Sequence, residues 1–273
     1  MNNLKRQSHI APPMIARLPR SLRAARRCFT TYDSQSGQHV ERVAGVLLHE
    51  LSLAEATTPD MTTLRGARID SFEVLRGGAA GLTLGSAGRR AYLRLSAAEH
   101  SPEFVEQCLQ LGAGASLDLD VGLGLAADAA ITRVIRFAEL AAERPGLPVR
   151  VCLLDALSHE SPGRVELVCA KLADAGVGAL VLVAAEDDPE CSNLEDLVEA
   201  LLGADVLGAP MSDRVGVRTR AGTEAGAEVC RRAMELGVRR FDTSLAAAEQ
   251  RSAAPHPARL AAVAAELGLS ISE

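Results

Sequence analysis

Short apolar runs alternate with longer stretches of helical spacing along most of this chain. From Val43 onward eight segments have strand character: Val43–Glu50, Ala67–Leu75, Arg90–Ser96, Ala115–Leu123, Pro148–Leu157, Ala179–Ala185, Arg214–Arg220 and Val238–Leu245. Ala115–Leu123 (ASLDLDVGL) alternates strictly, whereas Ala179–Ala185 (ALVLVAA) is apolar throughout, as in a strand buried on both faces. Helical spacing fills the intervals from the third strand on. Ser101-Pro102 predicts a capped helix start, and Phe104–Leu111 continues it. Ala126–Arg144 is a long amphipathic helix stopped by Pro145-Gly146, and Gly163–Ala175 follows Ser161-Pro162 and ends at Gly176. Ser192–Leu202 carries Ser192 and Glu195 at capping-box spacing, and Thr223–Leu236 and Pro257–Leu267 complete the set.

Strand and helix in regular alternation predict parallel strands joined by crossover helices. Eight such units in 41–273 predict an α/β fold, a TIM-like (β/α)8 barrel. Its first quarter reads as trimmed, because no clear helix follows the first two strands. A doubly wound open sheet is the alternative, but no G-x-G-x-x-G follows the first strand.

The carboxyl end of the seventh strand reads Arg218-Thr219-Arg220. Strand alternation places both arginines on one face, at the end of a barrel where chemistry is done. Guanidinium forks bind carboxylates and phosphates, so Arg218 and Arg220 are the candidate anion-binding residues.

Composition narrows the picture. Hydrophobic residues make up 48% of the 273 residues but aromatics only 3%, with no Trp, so the core is built of Leu, Val and Ala. Lys5 and Lys171 are the only lysines, and Lys171 lies mid-helix, which argues against a Schiff-base lysine at a strand end. The six cysteines are scattered without a C-x-x-C and are expected as buried free thiols.

Charge is uneven. Residues 1–29 hold seven basic residues and no acid, so the net charge of −6 leaves thirteen negative charges in excess on 30–273. An acidic body argues against nucleic-acid binding, and no apolar run is long enough for a transmembrane helix. The Arg-rich, acid-free composition of 1–29 predicts a mitochondrial transit peptide and a matrix location, with 30–40 (TTYDSQSGQHV) as a polar linker.

Two stretches, LPVRVCLLDALSHESPGRVELVCAKLADAGVGALVLV and LEDLVEALL…DRVGVRTRAGTEAGAEVCRRAMELGVRRFDTSLA, resemble the 3-hydroxy-3-methylglutaryl-CoA lyase family of metal-dependent barrels. Gly237-Val238, Phe241-Asp242 and Ser244-Leu245-Ala246 keep the second half of that family's G-V-x-x-F-D-x-S-V-A signature. The resemblance implies where a site would lie. The family's Arg-Asp at the end of the first strand falls on His49-Glu50, and its second-strand glutamate falls on Asp70. The two metal-binding histidines of H-x-H fall on Arg218 and Arg220. The loop with the catalytic cysteine falls on AAAEQRSAAP, which has no cysteine, and the last helix has no counterpart to the family's metal-binding asparagine.

These departures imply a catalytically degenerate barrel, a pseudoenzyme with a binding, regulatory or assembly role and no cofactor. Expected partners are a second copy or an active paralogue, and expected ligands an acyl-CoA or a small carboxylate. The alternative is an active lyase of the family with a rebuilt site and a divalent metal. For the arginines, pairing with Glu50, Asp70, Asp118 or Asp120 stands beside ligand binding and simple exposure.

Overall fold

A computed structural model of the chain describes residues 29–32, 39–42, 45–51, 68–75, 90–95, 102–111, 113–143, 147–185, 188, 190–206, 209–245 and 254–271. Eight parallel strands close into a barrel: β1 (Leu47–Glu50), β2 (Ser71–Leu75), β3 (Arg90–Leu95), β4 (Gly114–Asp120), β5 (Val149–Leu154), β6 (Ala179–Val183), β7 (Val215–Arg218) and β8 (Arg240–Thr243). The ring closes between β8 and β1, where Asp242 lies opposite His49 and Thr243 opposite Glu50. The fold is the (β/α)8 barrel that the sequence pattern predicts.

Helices α1 (Pro102–Leu111), α2 (Leu125–Ala142), α3 (Pro162–Asp174), α4 (Leu194–Gly203), α5 (Thr223–Leu236) and α6 (Pro257–Glu266) follow β3 to β8 in turn. The connections after β1 and β2, where trimming is expected, lie outside the described residues, as do residues 1–28 and Ser101. Within the stretch read as a linker and its flanks, Phe29–Tyr32 and His39–Arg42 pair as a short antiparallel ribbon.

Element ends follow local chemistry. At the end of α3 Gly176 takes φ 91, and at the end of α5 Gly237 takes φ 112. In both, the next amide closes a Schellman turn, Val177 onto Leu172 and Val238 onto Ala233. The second strand starts later than its pattern suggests, because Arg68 just before it adopts φ 53, a left-handed conformation that breaks extended pairing. The expected capping box does not form. Asn193 takes the N-cap position of α4 without a side-chain capping bond, the Ser192 hydroxyl donates to Asp188 at 2.8 Å, and Glu195 accepts instead from Arg232.

The two faces of the strands differ sharply. Leu48, Phe72, Leu93, Leu117, Val151, Leu182, Val217 and Phe241 point outward and pack with helix residues such as Val134, Leu172, Leu197 and Val229 in one continuous core. Each such side chain taken from water contributes on the order of 1.5–3 kcal/mol. Among the described residues, Cys152, Val181 and Val183, with Leu154, form a second apolar cluster separate from that shell.

Candidate functional site

A barrel lumen is ordinarily filled by layers of Val, Ile and Leu. Here the alternate positions carry His49 on β1, Ser71 and Glu73 on β2, Tyr92 and Arg94 on β3, Ser116 and Asp118 on β4, Arg150 and Cys152 on β5, Arg218 on β7 and Asp242 on β8. His49, Glu73, Ser116, Arg150, Arg218 and Asp242 are all buried.

These groups form one network. Arg218 Nε donates to Asp242 Oδ2 at 2.5 Å, and Arg218 Nη2 lies 3.4 Å from both Glu73 Oε1 and Cys152 Sγ. Arg150 Nη2 donates to the same Asp242 oxygen. Ser116 Oγ donates to Glu73 Oε1 at 2.5 Å. His49 shares a 2.7 Å hydrogen bond between Nδ1 and Ser71 Oγ, its Nε2 lies 3.7 Å from Glu73, and its ring meets Tyr92 edge-on. Because β2 and β7 are separated in the sheet by β1 and β8, the Arg218–Glu73 contact spans the lumen. The Arg150–Asp242 pair spans it from β5 to β8.

Charge in this interior balances. Two guanidiniums face two carboxylates, and burial, reinforced by the neighbouring Arg150, lowers the His49 pKa and keeps its ring neutral. Burial alone would raise the Glu73 carboxyl, but Arg218 above all holds it well below its ordinary value. Burial likewise opposes ionisation of Asp242, and Arg150 followed by Arg218 outweighs it. Burial opposes the charge of Arg218 too, yet the Cys152 sulfur, Asp242 and Glu73 keep it protonated. Burial pushes the Cys152 thiol up. Nearer the mouth, Arg94 donates to Asp118 Oδ2 through Nη2 at 2.6 Å and Nε at 3.1 Å.

The positions singled out in the sequence do not gather into one cluster. His49 and Arg218 do meet, through Glu73. Glu50 accepts from the Leu245 amide at 3.0 Å and from the Thr243 hydroxyl, bracing the end of β8. Asp70 is half-buried ahead of β2, where its amide donates to Leu48. Arg220 sits half-buried at the mouth, 3.8 Å from Asp155. Arg218 therefore does pair with carboxylates, but with Glu73 and Asp242 rather than with Glu50, Asp70, Asp118 or Asp120. The reason is register: Glu50 and the inward-pointing His49 are consecutive on β1 and take opposite faces.

Thr219, between the two arginines, turns under α5. A Cβ on Gly226 would come inside contact distance of the Thr219 hydroxyl and within 3.0 Å of Pro255. Glycine there lets α5 approach the end of β7 closely. Glu73, Arg150, Ser116 and Cys152 are members the motif comparison missed. Their signal lay in the alternation: Ser71-Phe-Glu73 and Arg150-Val-Cys152 carry polar residues at every second place.

The divalent ion implied by the family resemblance can be tested against these donors. Hard cations require oxygen ligands or neutral imidazole. Where the H-x-H histidines would fall stand two guanidiniums, which carry no acceptor and do not lose their proton. The two deeper carboxylates, Glu73 and Asp242, are already neutralised by Arg218 and Arg150. Among the described residues no group of three or more His, Cys, Asp or Glu side chains comes together to hold a metal. The residues present do not fit the ion.

No family model and no curated protein sequence matches this chain. Solved structures do. Hydroxymethylglutaryl-CoA lyase from Pseudomonas aeruginosa superposes with a TM-score of 0.65 at 16% identity, over 84% of this chain and 87% of that one. An HMG-CoA lyase from Acinetobacter baumannii, in complex with coenzyme A and 3-methylmalate, gives 0.59 at 13% identity, over 83% and 85%. The carboxyl transferase domain of Rhizobium etli pyruvate carboxylase with pyruvate gives 0.60 at 15% identity, over 83% of this chain and 44% of that one. The likeness is one of fold: the architecture of the HMG-CoA lyases is the architecture of this chain.

Proposed function

We propose that this protein is a barrel of the hydroxymethylglutaryl-CoA lyase type that has given up metal-dependent carbon–carbon cleavage and serves in mitochondria in a binding, regulatory or assembly role. One observation carries the first part: the guanidinium of Arg218 lies buried between Asp242 and Glu73, at a position that the family resemblance assigns to a metal-binding histidine. A cation bound there would face a fixed positive charge within a few ångströms, with its neighbouring carboxylates already paired. Without a divalent ion the family's way of polarising a substrate carbonyl is lost, and the two buried guanidiniums are already engaged by Asp242 and Glu73. The mitochondrial part rests on the Arg-rich, acid-free composition of residues 1–29.

A retained ligand is the second reading, favoured by Arg220 at the mouth, whose side chain is 28% exposed. A small carboxylate or the phosphates of an acyl-CoA would meet that guanidinium rather than Arg218, which is committed to its own carboxylates. Thermal shift against dicarboxylates and acyl-CoAs checks it: stabilisation lost in Arg220→Ala supports a ligand role, and no shift removes it.

Affinity purification of the tagged protein from isolated mitochondria, with a coupled assay for acetyl-CoA release, tests the main proposal. The expected result is a protein partner, an active paralogue or a second copy, in constant proportion and no turnover. Absence from the organelle, or turnover of 3-hydroxy-3-methylglutaryl-CoA by the purified chain, overturns it.

A further inference from the structure

Away from the lumen, on the outer wall of the barrel, a groove of about 340 Å³ runs between α3 and α4. Gly163, Glu166, Leu167 and Ala170 line one side, and Ala200, Leu201 and Ala204 the other, with Met211 also in its wall. Small residues on both flanks allow a helical backbone to approach closely, while Leu167, 55% exposed, offers an apolar ridge. An exposed leucine beside an apolar concavity is surface that association would remove from water.

Charge selects among occupants. Helical spacing extends the α3 face from Ala170 to Asp174 and the α4 face back from Ala200 to Asp196. Asp174 and Asp196 are exposed and Glu166 is half-buried, against the exposed Lys171. Two guanidiniums close in sequence to the lining residues are engaged elsewhere: Arg164 donates to Val121, Gly122 and Asp128, and Arg214 to the carbonyl of Ala173. The rim is therefore acidic around an apolar floor. It disfavours an anionic membrane surface and an acidic partner alike.

We propose that the α3–α4 groove docks a basic amphipathic helix of a partner protein, its apolar residues seated on Leu167, Ala170 and Ala200 and its arginines or lysines facing Glu166, Asp174 and Asp196. The surface is separate from the lumen, so loss of either conclusion leaves the other standing.

Fluorescence anisotropy of the full chain with a synthetic Leu/Arg amphipathic helical peptide tests it. Its Leu/Glu counterpart and the variants Leu167→Glu and Ala200→Glu serve as controls; both positions are exposed, and circular dichroism of each variant is expected to match the parent. The Leu/Arg peptide is expected to bind, to weaken about tenfold or more in either variant, and to weaken with added salt. Unchanged affinity in both variants overturns the proposal, as does equal binding of the Leu/Glu peptide. Self-association of the chain that Leu167→Glu abolishes, with no peptide binding, also overturns it and makes the groove a contact between copies.

Discussion

Arg218 contributes more by what surrounds it than by its own contacts. A buried ion network in place of apolar packing is close to neutral for stability, but removing one member strands its partners as uncompensated buried charge. Arg218→Met is therefore expected to lose about 3–5 kcal/mol, measured by urea unfolding. Arg218→Met combined with Glu73→Gln and Asp242→Asn is expected to recover a large part of that loss, whereas an equal or greater loss would mean the ion pairs are not the cause. The pH dependence follows from the same groups. His49 has a lowered pKa in the fold, so as pH falls through about 6.5 the unfolded chain takes up that proton first and stability declines. Glu73 and Asp242 have lowered pKa values, so their contribution is complete above about pH 5 and disappears as pH drops through their folded values. Unfolding free energy measured between pH 7 and 5 should slope downward in the natural chain and be nearly flat in His49→Gln. Part of this was legible beforehand, since alternation in SFEVL and PVRVCLL puts Glu73 and Arg150 on a polar face. Which charge meets which was not legible: Glu73 and Arg218 are 145 residues apart and touch only once the sheet has closed.

At the scale of elements, the strand–helix alternation gave the order of the barrel directly, because strands buried on both faces and helices with one apolar stripe leave few other packings. Boundaries were less legible. The left-handed Arg68 delays β2, and Asp188 draws Ser192 away from the helix end it was expected to cap. Neither depends on hydrophobic periodicity. The packing of α5 against the end of β7 makes a separate prediction. Gly226→Ala pushes a methyl into the Thr219 hydroxyl and is expected to destabilise the fold by about 1–3 kcal/mol. Thr219→Ala in the same chain removes the closest contact, leaving only the tight one with Pro255, and is expected to restore part of that loss. Chemical denaturation of the two single variants and the double variant checks it, and a Gly226→Ala chain as stable as the parent would show that α5 has room to move.

At the scale of the whole molecule, an architecture shared with the HMG-CoA lyases encloses an interior of paired charges. Guanidinium and carboxylate from opposite walls neutralise one another across the lumen, so the buried charge is balanced by the chain's own side chains. Chelator treatment is therefore expected to leave its melting temperature unchanged. The central claim is tested most directly by titrating Mn²⁺ into the purified protein in a calorimeter while following acetyl-CoA release from 3-hydroxy-3-methylglutaryl-CoA. No stoichiometric binding and no turnover is the predicted result. One Mn²⁺ bound per chain, with turnover that depends on it, would contradict it.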